Sequence, residues 1–243
     1  MSGHSHWHSI KYQKTAADQK RGKLFSKLSR EITIAAKEKG GDPEVNSDLR
    51  LAIERAKRFN MPKENIERAI KRGTGELAGG QLESILFEAY GPGGIALIIE
   101  GITDNKNRTL SEIKQILNQN NGKLANEGSV KWLFERKGCI TISLESQERT
   151  LQDKNELELK AIEAGAEDIF WHNNTMDIYT KPELLEKVKE SLEKTRVKID
   201  NASLDWVAKD KIEVDQETKK SCEKLFEKLE DNDSVQEIYS NLK

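Results

Sequence analysis

The sequence predicts a multidomain α+β protein: an N-terminal three-helix bundle, then two α/β (ferredoxin-like) domains, one inserted in the other. Three observations carry that expectation. Up to about residue 77 the apolar residues recur at three and four positions, the helical period. Beyond residue 83 the grammar changes, and glycines bracket IALIIEGI at 95–102, the pattern of a buried strand. The last helix and strand of the chain cannot stand alone, so they complete a fold begun before residue 137.

In chain order, residues 20–39, KRGKLFSKLSREITIAAKEK, form the first helix. Its apolar stripe is Leu24, Leu28, Ile32 and Ala35, and Gly40-Gly41 stop it. Residues 47–59 form the second, with Leu49, Ala52, Ile53 and Ala56 inward. Residues 63–72 form the third, with Pro62 expected at its first position and Ile66, Ala69 and Ile70 buried. It ends in Lys71-Arg72 before Gly73, cations at the negative end of the helix dipole and glycine past it. Three short helices with small apolar stripes pack as a bundle.

Residues 83–135 read as ββαβ, with a helix at 110–120 and a strand at 130–135 that alternates Trp132 and Phe134. YGPGG at 90–94 is a turn rather than a phosphate loop, since no helix or Lys-Ser follows its glycines. Residues 138–208 read as βαββαβ: CITIS, a helix at 153–164, EDIFW and MDIYT across Asn173-Asn174, a helix at 182–194, and ASLDWVA. A helix at 217–229 and a strand at 235–239 then return to the earlier unit. The domains are expected at 1–77, at 78–137 with 207–243, and at 138–206.

Of the 243 residues, 34% are charged and 35% hydrophobic, a soluble chain with enough apolar residues to fold. No apolar run approaches a membrane span, and the N-terminus shows no signal peptide or transit presequence. Cys139 and Cys222 lie far apart, so a disulfide framework is not expected and the cytoplasm is. The net charge of −2 conceals a polarity: residues 1–77 hold 17 Lys and Arg against 10 Asp and Glu, whereas 138–206 hold 9 against 15. A basic module joined to acidic ones is the pattern of a polyanion binder, although ordinary solvated helix faces give a similar count.

Lys20, Lys23, Lys27 and Arg30 form a second stripe on the first helix, beside Arg21 and nearly acid-free until Glu31. Cations so spaced can track backbone phosphates. The arm before the helix adds Lys11, Lys14 and Trp7, whose ring suits stacking on an unpaired base for roughly 1–3 kcal/mol. Arg68, Lys71 and Arg72 extend the basic set. Asn105 and Arg108, in TDNKNRT at 103–109, are read either as turn and cap residues or as ligand contacts.

The arm GHSHWHSIKYQK, at 3–14, also holds His4, His6 and His8. If Met1 is removed, Ser2-Gly3-His4 becomes a terminus able to hold Cu(II) or Ni(II). No cysteine, aspartate or glutamate lies near enough in sequence to close a structural zinc site. The preferred reading is a contact arm, with His4 among the nucleic-acid contacts and no metal or other cofactor. His172 lies near a strand turn, where a surface role is expected. No Ser-His-Asp, paired-carboxylate or Cys-His constellation is legible, so an enzyme is not expected.

These stretches together resemble the YebC family, the broad group that includes the mitochondrial translational activator of cytochrome oxidase. The matching residues are GHS with Trp7, KRGKLFSKLSREI at 20–32, LRLAIERAK at 49–57 and NMPKENIERAIKRGTGE at 60–76. YGPGGIALIIE at 90–100, TDNKNRT, GSVKWLFERKG at 128–138, EAGAED at 163–168 and VQEIYSNL at 235–242 continue them. The resemblance implies a helical domain and two α/β domains around a cleft, and a cytoplasmic, non-enzymatic regulator of gene expression. It implies either a translation factor acting on the ribosome or a DNA-binding transcriptional regulator. The chain departs from the family pattern at His6, where Lys is usual, and at Tyr12, where His is usual.

The residues favour the first reading, with ribosomal RNA or tRNA as target, the ribosome as partner and the chain as a monomer. A basic helix with an aromatic arm suits phosphate tracking and stacking on unpaired bases. No helix-turn-helix signature is legible for duplex DNA, the alternative target.

Overall fold

The computed structural model describes residues 18–148 and 153–243, with side chains from residue 21 onward. Helices α1 (Asp18–Lys39), α2 (Ser47–Arg58) and α3 (Lys63–Gly73) form the N-terminal bundle. The expected stripes meet in its core: Leu28, Ile32 and Ala35 against Leu49, Ala52, Ala56, Ile66 and Ala69. Gly73 lies where α3 crosses α1. A Cβ there would stand 2.4 Å from the Thr33 carbonyl oxygen and 2.7 Å from the Ala36 Cβ, so glycine is what lets the two helices close. Pro62 occupies the N-cap of α3 rather than its first helical position.

One buried amide joins α1 to α2. Asn46 Oδ1 accepts the Leu49 N–H at 3.0 Å, capping α2. Its Nδ2 donates to the carbonyls of Ala35 at 2.9 Å and Gly40 at 2.7 Å, at the end of α1. The side chain has no exposed surface, so its bonds to Leu49 and Ala35 are out of reach of water.

The chain continues through β1 (Glu83–Tyr90), β2 (Ala96–Thr103), α4 (Lys106–Gln119), β3 (Lys123–Leu124) and β4 (Phe134–Ser143). Next come α5 (Lys154–Ala164), β5 (Asp168–His172), β6 (Thr175–Thr180), α6 (Leu185–Lys194) and β7 (Asn201–Ala208). Helix α7 (Gln216–Glu230) and β8 (Val235–Ser240) finish it.

Two four-stranded antiparallel sheets result, in the orders β3-β1-β2-β8 and β5-β6-β4-β7. The second is the strand order of a split βαββαβ unit. Helices α5 and α6 cover one of its faces over Ile140, Ile142, Met176 and Ile178. The first sheet takes its last strand from the far end of the chain, since β8 pairs with β2. Helices α4 and α7 pack on it through Ile113, Leu117, Leu225 and Leu229. The inserted domain is left and re-entered side by side, because Phe134 pairs with Ala208.

One expected element is corrected. Residues 130–135 are not a strand of the first sheet: Lys131–Leu133 make a 3₁₀ turn, and Phe134 begins a ten-residue strand that runs on through CITIS. In a strand, residues two apart share a face; the turn instead sets Trp132 outward at 64% exposure and Phe134 inward at 3%. The first sheet's remaining strand is the two-residue β3. Among the described residues no helix is long and apolar enough to cross a membrane.

Replacing Asn46 by Ala leaves the buried Leu49 N–H without its cap and removes the side-chain bonds to the Ala35 and Gly40 carbonyls. The expected loss is on the order of 2–4 kcal/mol, read from urea unfolding as a lower midpoint at unchanged slope.

Candidate nucleic-acid interface

Helix α1 carries Lys23, Lys27 and Arg30 along one side, and that side faces the C-terminal end of α7. Lys27 Nζ donates to the Glu230 carbonyl at 2.8 Å, and Lys23 Nζ to the Asp231 carbonyl at 3.2 Å. Arg30 Nη1 donates to the Asp233 carbonyl at 2.5 Å and to that of Ile102 at 3.4 Å. The last carbonyls of a helix have no partner within it and form its negative pole. Two cations, Lys27 and Lys23, therefore close α7, and Arg30 holds the turn after it and the end of β2.

This corrects the expectation of an open phosphate-binding stripe. Lys27 is only 8% exposed and Arg30 is half-buried, while Lys23 keeps its exposure. Burial pushes the Lys27 ammonium down to about 8, against the upward pull of Glu237, Glu230 and Asp233. At pH 7 it is still charged in about nine molecules of ten.

Helix α2 extends the junction. Arg55 pairs with Glu237 on β8 at 2.6 Å and with Glu31 on α1 at 3.4 Å. Arg50 pairs with Glu186 of α6 at 2.8 Å, and Lys189 of α6 reaches Glu54 at 2.5 Å. Arg58 donates to the Asp200 carbonyl. The bundle is thus clamped to both α/β domains. Sequence reasoning missed Arg50, Arg55 and Arg58, whose partners lie 136 to 182 positions away, and the only signal for them was the bundle's excess of positive charge.

The rest of the basic set is distributed as follows. Arg68, Lys71 and Arg72 are exposed on α3, and among the described residues none of them makes an ion pair. Arg21 is exposed, its guanidinium 5.5 Å over the Phe25 ring. Asn105 is the N-cap of α4, accepting the Arg108 N–H at 3.0 Å, and Arg108 itself pairs with Asp104 at 2.5 Å. The cap reading accounts for both residues, and the helix starts at Lys106 rather than 110. His4, Trp7, Lys11 and Lys14 lie outside the described residues, as do His6, His8 and the side chain of Lys20.

Other chemistry-bearing groups are internal. His172, expected at the surface, is buried at the end of β5 with its Nε2 3.2 Å from Asp177. Cys139 and Cys222 are buried, and burial pushes both thiols up, Cys222 to about 11, so neither offers a reactive thiolate. Among the described residues no three of His, Cys, Asp and Glu gather to hold a metal ion.

The three domains enclose a cleft of about 490 Å³. Its walls carry Glu31 and Arg55 from the bundle, Glu100 and Glu237 from the first sheet, and Arg136 and Asp205 from the second. Glu100 receives Arg136 at 3.0 Å and the Trp206 indole N–H at 2.8 Å. Glu38 and Asp48 add further acid, so the cleft opposes a phosphate rather than attracting it. Burial pushes the Asp205 carboxyl up to about 6, with Glu237 adding to the shift, and pushes Glu31 up as well. Acids therefore line the cleft, whereas Arg68, Lys71 and Arg72 stay exposed on α3, one turn from exposed Glu64 and Glu67.

A family model described as the TACO1/YebC protein N-terminal domain matches residues 5–76, and the TACO1/YebC second and third domain matches residues 82–242. The chain belongs to the TACO1/YebC family. Among its relatives is a probable transcriptional regulatory protein of Halothermothrix orenii, 50% identical over 242 residues, which are 99% of this chain and 94% of the relative. One of the same description from Caldanaerobacter subterraneus is 48% identical, over 100% of this chain and 98% of the relative. The crystal structure of a conserved hypothetical protein from Aquifex aeolicus is 46% identical. It superposes with a TM-score of 0.90 over 98% of this chain and 97% of that one. The TACO1/YebC architecture, a helical domain and two α/β domains around a cleft, is the one described above.

Two outcomes follow from the junction. Lys27→Glu sets an anion against the negative pole of α7 and should lose on the order of 3 kcal/mol in urea unfolding. Asp205 behaves as a raised acid. Between its ordinary 3.8 and about 6 the folded chain keeps a proton that the unfolded chain releases, so its contribution to stability falls as pH rises through that window. Asp205→Asn should then stabilise more at pH 7.5 than at pH 4, by on the order of 1–2 kcal/mol given its partial exposure. Thermal melts at both pH values check the difference.

Proposed function

We propose that the chain is a non-enzymatic regulator of gene expression that binds nucleic acid, and that it acts in translation by contacting RNA on the ribosome in the cytoplasm as a monomer. The observation that carries this is the exposed trio Arg68, Lys71 and Arg72 on α3. It lies in the module holding 17 basic against 10 acidic residues and has no ion-pair partner among the described residues. Exposed cations clustered on one helix can release counterions on meeting phosphates. Lys11, Lys14 and Trp7 of the arm belong to the same module and supply the further phosphate and stacking contacts of this reading.

A second reading, a DNA-binding transcriptional regulator, is favoured by the relatives' description as probable transcriptional regulatory proteins. Against it, the basic side of α1 is engaged on α7, so that helix is not available as a reading head for a major groove.

Co-sedimentation with ribosomes across a salt series, beside duplex DNA, separates the two. Ribosome binding should exceed duplex binding, and Arg68→Glu with Lys71→Glu and Arg72→Glu should flatten the salt slope by roughly 2 units at unchanged melting temperature. Tighter, sequence-selective duplex binding moves the protein to the transcriptional reading. An unchanged slope removes α3 from the site.

A further inference from the structure

Trp132 is the most exposed aromatic side chain among the described residues, at 64%, and Tyr90 is exposed as well, at 38%. Exposed rings of this size on a rigid support call for an occupant. The support is unusual. Glu88, on β1, is 2% exposed, and its carboxylate accepts three backbone N–H groups of the loop ahead of Trp132. These are Gly128 at 2.6 Å, Val130 at 2.5 Å and Lys131 at 2.8 Å. Burial opposes the charge, and the three N–H bonds outweigh it, holding the carboxyl below its ordinary range. Val130 is fully buried beside Phe134, so the loop is pinned from two sides.

The two rings are fixed at their polar tips. The Trp132 indole N–H donates to the Ser129 carbonyl at 3.0 Å, and the Tyr90 hydroxyl donates to the same oxygen at 3.2 Å. With the hydrogen-bonding needs of both met by one atom, what they offer to solvent is ring surface. Exposed lysines flank it. Lys209 Nζ donates to the Trp132 carbonyl at 3.0 Å, Lys131 follows the loop, and Lys123 stands opposite Tyr90 in the β1–β3 ladder. The exposed acids nearest in sequence are Glu127, Glu135 and Asp210, and Glu135 is held by Lys137 at 3.6 Å.

We propose that Trp132 and Tyr90 form a stacking platform for an unpaired nucleobase, with Lys123, Lys131 and Lys209 taking the adjoining phosphates. The platform rests on the nucleic-acid reading above and adds a single-strand contact outside the helical domain. Fixed aromatic surface next to exposed ammonium groups, with Lys209 on the Trp132 carbonyl and Lys131 5.1 Å over the Trp206 ring, is a combination that binds single strands without sequence choice. A rigid ring also avoids the ordering cost that a flexible one meets on binding.

The test is anisotropy titration of the full chain with a labelled short oligouridylate and with an RNA duplex, across a salt series. Trp132→Ala should weaken oligouridylate binding by roughly 5- to 100-fold at unchanged salt slope, and leave duplex binding as it was. Trp132→Phe should keep most of the affinity, and Lys209→Ala should flatten the slope by roughly 1 unit. Because Trp132 is exposed, the melting temperature should not move. Oligouridylate binding by Trp132→Ala equal to that of the parent overturns the platform alone. Equal losses on single strand and duplex overturn it too. Ribosome association lost with oligouridylate affinity intact overturns it in favour of a protein contact. A parent chain that binds neither nucleic acid nor ribosomes overturns the functional reading itself.

Discussion

The carbonyls of Glu230 and Asp231, at the C-terminal end of α7, take their side-chain donors from Lys27 and Lys23 of α1, and Arg30 holds that of Asp233 just beyond. Since α7 and β8 belong to the domain that begins at Glu83, this contact, with Arg55 on Glu237, fixes the bundle to the first α/β domain. With α1 placed, α2 lies within reach of α6, and Arg50, Glu54 and Arg58 tie the bundle to the inserted domain. The cleft is the space left among the three. The magnitudes suggest geometry rather than raw stability as the outcome. A cation at a helix C-terminus contributes about 0.3–2 kcal/mol, while the fall of Lys27 from 10.5 to about 8 shows burial taking back a comparable amount. A contact of small net energy but strict partner requirements selects one arrangement over others.

Composition recorded a basic module and acidic ones, yet not which opposite charges meet each other across the domains. Glu237 and Glu186 hold Arg55 and Arg50, and Glu31 and Glu100 line the interior. The cations of α3 are left over on the outside. The same lysine-and-arginine total therefore contains two populations, one that assembles the domains and one that faces away from them.

Local period made much of the fold legible. The stripes of α1 and α2 and the βαββαβ order of the inserted domain depend on neighbours a few positions apart, and these expectations match the structure. The return of α7 and β8 to the first sheet was legible because neither can be stable alone. A two-residue strand such as β3 leaves no pattern, and the turn at Lys131–Leu133 leaves a misleading one. The basic stripe was visible, but its partner lies 203 positions onward, and a carbonyl cluster at a helix end selects the same side chains as a phosphate row. As residues two apart in an expected strand, Trp132 and Phe134 would share one face, and only the turn separates them.

The distance of 203 residues between Lys27 and Glu230 also has a consequence in time. A chain grows from its N-terminus at about 5–20 residues per second, so the lysine is made roughly 10–40 s before the carbonyl it will meet. During that interval the bundle can form its own core, but its positive side stays in water. A nascent chain that stops short of Glu230 never buries it. The order of synthesis thus makes the open basic stripe a property of unfinished copies, and the closed one a mark of complete copies.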